Sequence, residues 1–313
     1  MHAKDYYGHP IFYPVEFRLI TPAIKQLQNV LTRLVWTGAT GASLLGFTRA
    51  GKTTAIELIS DKIKSRSGNK IPVLRYSAHQ RDQHTIRSLY VNLLTHLDLP
   101  YRTREKTEIL IDKLLMFIAE TAKKHQVKQV IMAVDEAQRL AIPQIDVFAE
   151  LDDRLRKEYS VSLMCLFIGN QEQMGRLLDA VHEGRNEHIE GRFFRQSFRF
   201  GGLRSKADVS YCLKQYDQLR YPYDGPTYTE YFIPSDYGNG FRLTTLAGSI
   251  WSGFRRYHKT LGAKEWAMEY FVRTVNLLLT DYLTKYGAAN YSDDMISECI
   301  NVSGLIPELE LRE

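Results

Sequence analysis

The chain has 313 residues, of which 44% are hydrophobic, 25% charged and 12% aromatic. These fractions are average for a globular protein, so they exclude intrinsic disorder, collagen-like fibres and low-complexity scaffolds. At about 100 to 200 residues per domain, the length predicts one large domain and a smaller one. The formal net charge of +5 permits contact with phosphate polyanions without requiring it.

The cellular compartment is indicated by what the sequence lacks. The first seven residues carry charges and rings where a signal peptide has its apolar segment. Charges interrupt every hydrophobic run before it reaches the ~18 residues of a membrane helix. The three cysteines (Cys165, Cys212, Cys299) are far apart and lack CxxC spacing, which disfavours a disulfide framework or a zinc ribbon. We expect a cytoplasmic protein without a membrane span.

In the first two thirds of the chain, apolar runs alternate with helical patterns. An irregular, aromatic arm (residues 1–20) precedes a helix that Thr21 and Pro22 begin and Gly38 ends. Strands are predicted at 42–45, 71–76, 129–134, 162–168 and 197–203, and helices at 53–64, 83–97, 106–125, 143–159 and 171–190. This alternation predicts an α/β domain over residues 21–203, built on a parallel sheet covered on both faces.

From residue 204 the strands stop. Ser205 and Asp208 have the spacing of a helix N-terminal cap. Helical patterns follow at about 205–220, 241–257, 264–286 and 292–300. Tyrosines are frequent from Tyr211 to Tyr237, and we expect them to pack between these helices rather than to stack on bases. Residues 204–313 are therefore predicted to form a helical module with a C-terminal tail.

The strongest motif is a GxxxxGK[ST] loop between a predicted strand and a predicted helix. Glycines let backbone amides curl around phosphate, and the helix N-terminus adds its positive end. Lys52 would reach the β- and γ-phosphates, and the Thr53 hydroxyl would bind Mg²⁺. We assign nucleotide contacts to the loop and first turn: Gly46, Thr48, Arg49, Ala50, Gly51, Lys52, Thr53 and Thr54.

Two adjacent carboxylates follow the apolar run 130–134, at the strand end where parallel sheets bind ligands. Asp135 would complete the Mg²⁺ shell, and Glu136 would polarise the attacking water. Both could instead be the solvated start of the next helix. Because many kinases and switch GTPases lack the second carboxylate, the pair favours hydrolysis of ATP over phosphate transfer to a small molecule.

Three more side chains are candidates for the same site. Asn170 ends a strand predicted to lie beside that of Asp135, where it would bind the attacking water or the γ-phosphate, or simply end the strand. Arg192 and Arg195 precede the last predicted strand, and either could project into a neighbouring subunit's nucleotide. We expect Arg192 ahead of Arg195 in this trans-acting role.

Together these motifs resemble an AAA+ ATPase, and the resemblance covers roughly residues 20–255. It implies an ASCE-type P-loop core, an αβα sandwich, with a C-terminal helical lid, and ATP with Mg²⁺ as cofactors. The segment Gly238-Asn-Gly-Phe-Arg242 resembles the lid motif whose arginine contacts the γ-phosphate, so the resemblance assigns this role to Arg242.

Within the superfamily, two segments are similar to the TniB/TnsC transposition regulators and the related ExeA-type ATPases: Asp135-Glu-Ala-Gln138-Arg-Leu140 and Phe167-Ile-Gly-Asn170-Gln-Glu-Gln173. The resemblance implies a hexamer- or heptamer-like homo-oligomer, ring or helical filament, on double-stranded DNA. It also implies a target-selector protein and a transposase as partners. Alternatives are a replication-initiator-like or ExeA-like ATPase, and a protein switch that does not bind DNA.

Basic residues ahead of the fourth helix are candidates for the DNA contacts: Arg102, Arg104 and Lys106. They could grip DNA phosphate from each subunit of an oligomer, or form a solvated face. Phosphate contacts carry no sequence information, so we expect binding with little base preference.

Overall fold

The computed structural model of the protein describes residues 8–79, 85–262 and 264–306. Its contacts divide the chain into two compact units. One unit consists of residues 26–48 and 52–200, and we call it the sheet unit. The other consists of residues 1–25, 49–51 and 201–313, and we call it the helical unit. The domain boundaries expected from the sequence, after residues 20 and 203, stay a prediction.

The sheet unit contains five parallel strands among its described residues: β1 (Gly41–Gly46), β2 (Val73–Ser77), β3 (Gln129–Asp135), β4 (Ser162–Asn170) and β5 (Ser197–Arg199). Their order is β2-β3-β4-β1-β5. The central strands β3 and β4 are buried along nearly their whole length, because helices cover both faces of the sheet. The predicted α/β architecture, a parallel sheet with helices on both faces, is confirmed.

Helices connect these strands: α1 (Pro22–Trp36), α2 (Lys52–Ile59), α3 (Ile86–His96), α4 (Thr107–Lys124), α5 (Ile142–Tyr159), α6 (Gln171–Glu183) and the short α7 (Glu187–Ile189). Thr21 caps α1, since its hydroxyl accepts the Ile24 amide at 3.1 Å. The core between helices and sheet includes Leu114, Phe148 and Phe167, each fully buried. Burial of this apolar surface positions the strand ends that carry the site.

Three predicted elements end earlier than the hydrophobic pattern suggested. Helix α2 ends at Ile59, and a tight turn follows, closed by a bridge between Lys64 and Lys70. Helix α6 ends at Glu183, and after Gly184 the next residue, Arg185, takes a left-handed φ of 52° that no helix continues. A π-helical turn at Glu190–Phe194 then precedes β5, which is only three residues long.

The helical unit contains α8 (Lys206–Tyr216), α9 (Tyr228–Phe232), α10 (Pro234–Gly238), α11 (Ala247–Leu261), α12 (Met268–Leu277), α13 (Thr284–Tyr286) and α14 (Asp293–Val302). Ser205 caps α8 by accepting the Asp208 amide at 3.1 Å, as predicted. The short helices α9 and α10 are not expected from the sequence. A π-helical segment, Leu278–Leu283, joins α12 to α13. Stacked rings of Phe254 and Trp266, 4.7 Å apart, lie in the core of this unit.

The N-terminal arm belongs to the same core. His9 is fully buried, and its Nδ1 accepts the Ile11 amide at 3.2 Å. Its ring lies 4.5–4.9 Å from four aromatic rings: Tyr221, Tyr228, Tyr231 and Phe232. Burial lowers the pKa of His9 to about 4. Tyr221, Tyr228 and Tyr231 therefore pack into or against the core of the helical unit rather than facing solvent, although Tyr223 is exposed.

All three cysteines are free and buried, and burial raises the pKa of the Cys212 and Cys299 thiols to about 12. Within the described ranges, none of the helices is both long and apolar enough to cross a bilayer.

Candidate nucleotide-binding site

The phosphate-binding loop lies between the end of β1 and the start of α2. At Gly46 a Cβ would lie 2.3 Å from the Phe200 carbonyl oxygen, so only glycine lets this loop start so close to the neighbouring backbone. Gly51 adopts a φ of 90°, which glycine takes without strain, and Arg49 a φ of 62°. Ala50 is buried between them. The loop thus curls over the N-terminus of α2, which is the arrangement that binds phosphate.

Lys52 is held across this loop. Its Nζ donates to the carbonyl oxygens of Gly46 at 3.0 Å and Phe47 at 2.8 Å. Burial lowers the pKa of Lys52, while the negative charges of Asp135 and Glu136 oppose that shift. A half-buried ammonium held only by neutral carbonyls is suited to exchange these partners for phosphate oxygens.

Thr53 and Asp135 form the candidate Mg²⁺ site. The Thr53 hydroxyl donates to Asp135 Oδ2 at 2.5 Å, and Asp135 Oδ1 accepts the Glu136 amide at 2.9 Å. These hard oxygen donors fit Mg²⁺, which binds to one or two protein oxygens and fills its shell with phosphate and water. No other cluster competes, since the described residues contain no group of three or more His, Cys, Asp and Glu side chains arranged around a metal.

The predicted general base, Glu136, is held in a specific pose. Its backbone has a left-handed φ of 54°. Its Oε2 accepts Gln138 Nε2 at 2.9 Å and lies 3.1 Å from an Arg139 terminal nitrogen. Arg139 also donates to the Ala78 carbonyl oxygen at 3.2 Å. The carboxylate is therefore ion-paired and must leave Arg139, or share it, to polarise a water.

Asn170 lies where the sequence predicts. Strand β4 lies between β1 and β3, and Asn170 is in register with Gly46 at the carboxyl end of the sheet. Its Oδ1 caps α6 by accepting the amides of Glu172 at 3.0 Å and Gln173 at 3.3 Å. Its Nδ2 donates to the Thr48 hydroxyl at 3.2 Å. Both expected roles are therefore compatible, because one side-chain atom caps the helix while the other faces the phosphate-binding loop.

The two candidate arginine fingers differ in their surroundings. Arg192 lies on the π-helical turn and donates to both carboxylate oxygens of Asp153, at 2.8 and 2.9 Å, and to the Ala149 carbonyl oxygen at 3.2 Å. Arg195 is exposed, and no described residue forms a hydrogen bond or ion pair with its side chain. The order expected from the sequence, Arg192 ahead of Arg195 in a trans-acting role, stays a prediction.

Two arginines of the helical unit that were assigned to the nucleotide have other partners. Arg49 lies 3.4 Å from Glu269 Oε1, and its contact with the nucleotide stays a prediction. The Arg242 guanidinium lies 3.6 Å from the centre of the Tyr237 ring and donates to the carbonyl oxygens of Tyr237 and Phe241. Its contact with the γ-phosphate stays a prediction. Thr54, the remaining assigned residue, is half-buried in the first turn of α2.

The predicted DNA-contacting residues lie on an ordered loop between α3 and α4. Arg87 fixes this loop by donating to the carbonyl oxygens of Glu105 at 2.6 Å and Thr103 at 2.8 Å. The Glu105 carboxylate pairs with Lys113 at 2.8 Å, which neutralises the loop's own acid. Three cations on it have exposed side chains that form no side-chain hydrogen bond or ion pair within 4 Å with the described residues: Arg102, Arg104 and Lys106.

A family model matches the central part of the chain. Residues 37–177 match the AAA domain family, a range that contains the phosphate-binding loop, Asp135, Glu136 and Asn170. A search of curated proteins finds no match to this sequence.

Several solved structures are similar to this chain over most of its length, and the likeness to the first of the following concerns the fold. The Aeropyrum pernix ORC1 protein in complex with DNA has a TM-score of 0.50 at 12% identity, covering 94% of this chain and 68% of that one. The Walker-type ATPase PABY2304 of Pyrococcus abyssi has a TM-score of 0.47 at 12% identity, with 93% and 75% covered. Cdc6p of Pyrobaculum aerophilum has a TM-score of 0.43 at 14% identity, with 95% and 83% covered. At these identities the likeness concerns the fold.

Proposed function

We propose that this protein is an ATP-hydrolysing AAA+ protein that assembles into an oligomer on double-stranded DNA in its ATP-bound state. The observation that carries the ATPase part is the convergence of Lys52, Thr53, Asp135 and Glu136 at one end of the sheet, with Thr53 and Asp135 in direct contact. These side chains supply the phosphate cation, the Mg²⁺ ligands and the base of a P-loop hydrolase.

The hydrolytic step follows from this geometry. Lys52 and the loop amides bind the β- and γ-phosphates, and bound Mg²⁺ would neutralise the charge that develops between them. Glu136, released from Arg139, accepts a proton from the attacking water. Asn170 Nδ2 lies on the same side of the loop as Thr48, where it can orient that water or the γ-phosphate.

Oligomer formation is proposed because one arginine of the sheet unit, Arg195, has a side chain without a partner among the described residues. Arg195 is exposed, whereas Arg192 is bound to Asp153 within its own subunit. A finger supplied by an adjacent subunit makes hydrolysis depend on assembly, so the specific ATPase activity should rise with protein concentration. Constant specific activity from dilute to concentrated protein would contradict assembly-dependent hydrolysis.

DNA binding is supported by the ordered loop that carries the exposed side chains of Arg102, Arg104 and Lys106, whose one nearby carboxylate, Glu105, is paired with Lys113. When ATP aligns several subunits, the contacts of these cations with the duplex phosphates add up to a high affinity, although each contact is weak. The fold is also shared with a DNA-bound structure, that of ORC1.

For the biological role, we favour a replication-initiator-like ATPase, because the likeness to ORC1 extends over both units of the chain. The second candidate is a transposition regulator that links a target selector to a transposase. It is supported by the TniB/TnsC-like segment 135–140, in which Gln138 donates to the base Glu136. Neighbouring genes discriminate the two roles: a replication cluster favours the initiator, and an adjacent transposase reading frame favours the regulator.

A further inference from the structure

A second polar cleft lies at the amino-terminal ends of β3 and β4, the sheet edge opposite to Asp135 and Asn170. Two adjoining cavities of about 830 and 530 Å³ share Ser65, Ser67 and Gln129. The C-terminal ends of α1, α4 and α5 and the turn at 64–70 surround them. We call this the amino-edge cleft.

The charged residues that line the amino-edge cleft are all basic. Its charged lining residues are Arg66, Lys123, Lys128 and Arg156, and no Asp or Glu is among the described residues that line either cavity. Arg156 is fixed through Nε by buried Asp152 at 2.9 Å, which leaves its terminal nitrogens available. Lys123 and Lys128 are exposed, and the ammonium group of neither forms a hydrogen bond or ion pair with a described residue.

These lysines are not required to satisfy the helix ends that meet here. Exposed helix C-termini carry partial negative charge that basic residues commonly neutralise. In this cleft other side chains already do so: Gln129 Nε2 donates to the Val35 carbonyl oxygen at 2.9 Å, and Asn69 Nδ2 to the Gln126 carbonyl oxygen at 3.0 Å. The free ammonium groups therefore remain available to an external anion.

An aromatic ring stands beside the cations. Trp36 is 43% exposed, and its Nε1 donates to the Lys64 carbonyl oxygen at 2.9 Å, which fixes the indole plane. The Arg66 guanidinium lies 5.3 Å from the ring centre. A cationic groove combined with a fixed, partly exposed ring is the arrangement that tracks a phosphodiester backbone and stacks on a base. A duplex hides its base faces, so this combination favours a single strand.

We propose that the amino-edge cleft binds single-stranded DNA without requiring ATP, with the four cations on phosphates and Trp36 against a base. The choice of DNA over RNA rests on the proposed function, whereas the cleft itself is separate from the nucleotide site and from the loop of Arg102.

The test is fluorescence anisotropy of a labelled oligothymidylate of about 16 nucleotides, bound to the full chain without nucleotide over a salt series. Each neutralised phosphate of a single strand contributes about −0.7 to the slope of log affinity against log salt, so four contacts give about −2.8. Lys123→Glu and Lys128→Glu should each weaken binding and reduce the slope by at least about 0.7. Lys124→Glu is the matched control, because Lys124 is exposed on the same helix end but does not line the cleft.

Stacking has its own readout. Bound oligothymidylate should quench part of the tryptophan fluorescence, and Trp36→Phe should lose that quenching while keeping the thermal unfolding midpoint of the parent. Equal affinities of Lys123→Glu and Lys124→Glu, equal competition by poly-glutamate, or tighter binding of blunt duplex would overturn the proposal. Tighter binding of oligouridylate at the same residues would refute the choice of DNA. Arg102→Glu and Lys52→Ala should leave binding of the single strand intact. A failure of the proposed ATPase activity or duplex binding can therefore be distinguished from a failure of single-strand binding at the amino-edge cleft.

Discussion

The structure predicts that Arg192 and Arg195 have different roles, one in stability and the other in turnover. Replacing Arg192 with alanine removes a bidentate pair with Asp153 and a hydrogen bond to the Ala149 carbonyl oxygen. Replacing Arg195 removes an exposed side chain without a partner among the described residues. Arg192→Ala should therefore destabilise the sheet unit, and Arg195→Ala should not.

The magnitudes follow from exposure. The side chains of Arg192 and Asp153 are 33% and 58% exposed, so the ion pair contributes about 0.2–1 kcal/mol, and the charged hydrogen bond to a half-buried carbonyl adds about 1 kcal/mol. A loss of about 1–2 kcal/mol lowers the unfolding midpoint by about 2–8 °C in a domain of this size. Loss of a trans-acting finger instead lowers the hydrolysis rate by up to roughly 10³- to 10⁵-fold.

Differential scanning calorimetry and ATPase assays on both variants check this. Arg195→Ala should unfold at the parent temperature, lose its activity, and regain part of it when mixed with Lys52→Ala, since some interfaces then pair an intact loop with an intact finger. An active Arg195→Ala together with an inactive, thermally normal Arg192→Ala would refute the reasoning and return the finger role to Arg192.

Three further predictions concern single groups. Lys52→Ala should abolish binding of a fluorescent ATP analogue, whereas Glu136→Gln should keep binding and lower turnover by roughly 10²- to 10⁴-fold; hydrolysis at the parent rate would exclude Glu136 as the base. Arg139→Ala should raise basal hydrolysis about 1.5- to 5-fold by releasing Glu136, the equivalent of 0.2–1 kcal/mol for an exposed pair, and an unchanged or lower rate would mean that the pair does not restrain the base. His9 has a pKa of about 4 when folded and 6.5 when unfolded, so neutral His9 contributes fully to the free energy of unfolding above pH 6.5. This contribution is lost as the pH falls towards 4, by at most about 1.4 kcal/mol per pH unit. In urea unfolding, the free energy of unfolding of His9→Phe should depend less on pH than that of the parent over this range.

The sequence predicts the sheet and the core of the site because both depend on local patterns. Continuous apolar runs mark strands buried on two faces, and polar residues directly after them mark the carboxyl edge of the sheet. Asp135 and Asn170 follow such runs, and the structure places them on adjacent strands. Gly46 and Gly51 stand at positions where the backbone geometry requires glycine, and the sequence motif contains glycine at these two positions.

The remaining features depend on contacts that no spacing encodes. Arg139 binds Glu136 only because the left-handed turn at Glu136 bends the chain back, and the sequence offers no signal beyond their three-residue separation. Arg192 and Asp153 are 39 residues apart and meet through the packing of α5 against the π-helical turn. The helical periodicity of residues 171–190 hides the break at Gly184, because one left-handed residue interrupts a helix without changing the apolar pattern.

The central claim is tested most directly by binding of double-stranded DNA as a function of nucleotide. Anisotropy of a labelled duplex should be measured with ATP, ADP and no nucleotide, in the parent and in Arg102→Glu/Arg104→Glu, both carrying Lys123→Glu to weaken binding at the amino-edge cleft. The account predicts duplex binding that requires ATP, strengthens with duplex length, falls with salt at about −0.9 per phosphate contacted, and is lost in the loop variant. Duplex binding that is the same with and without ATP, or that survives the loop substitutions, would contradict it.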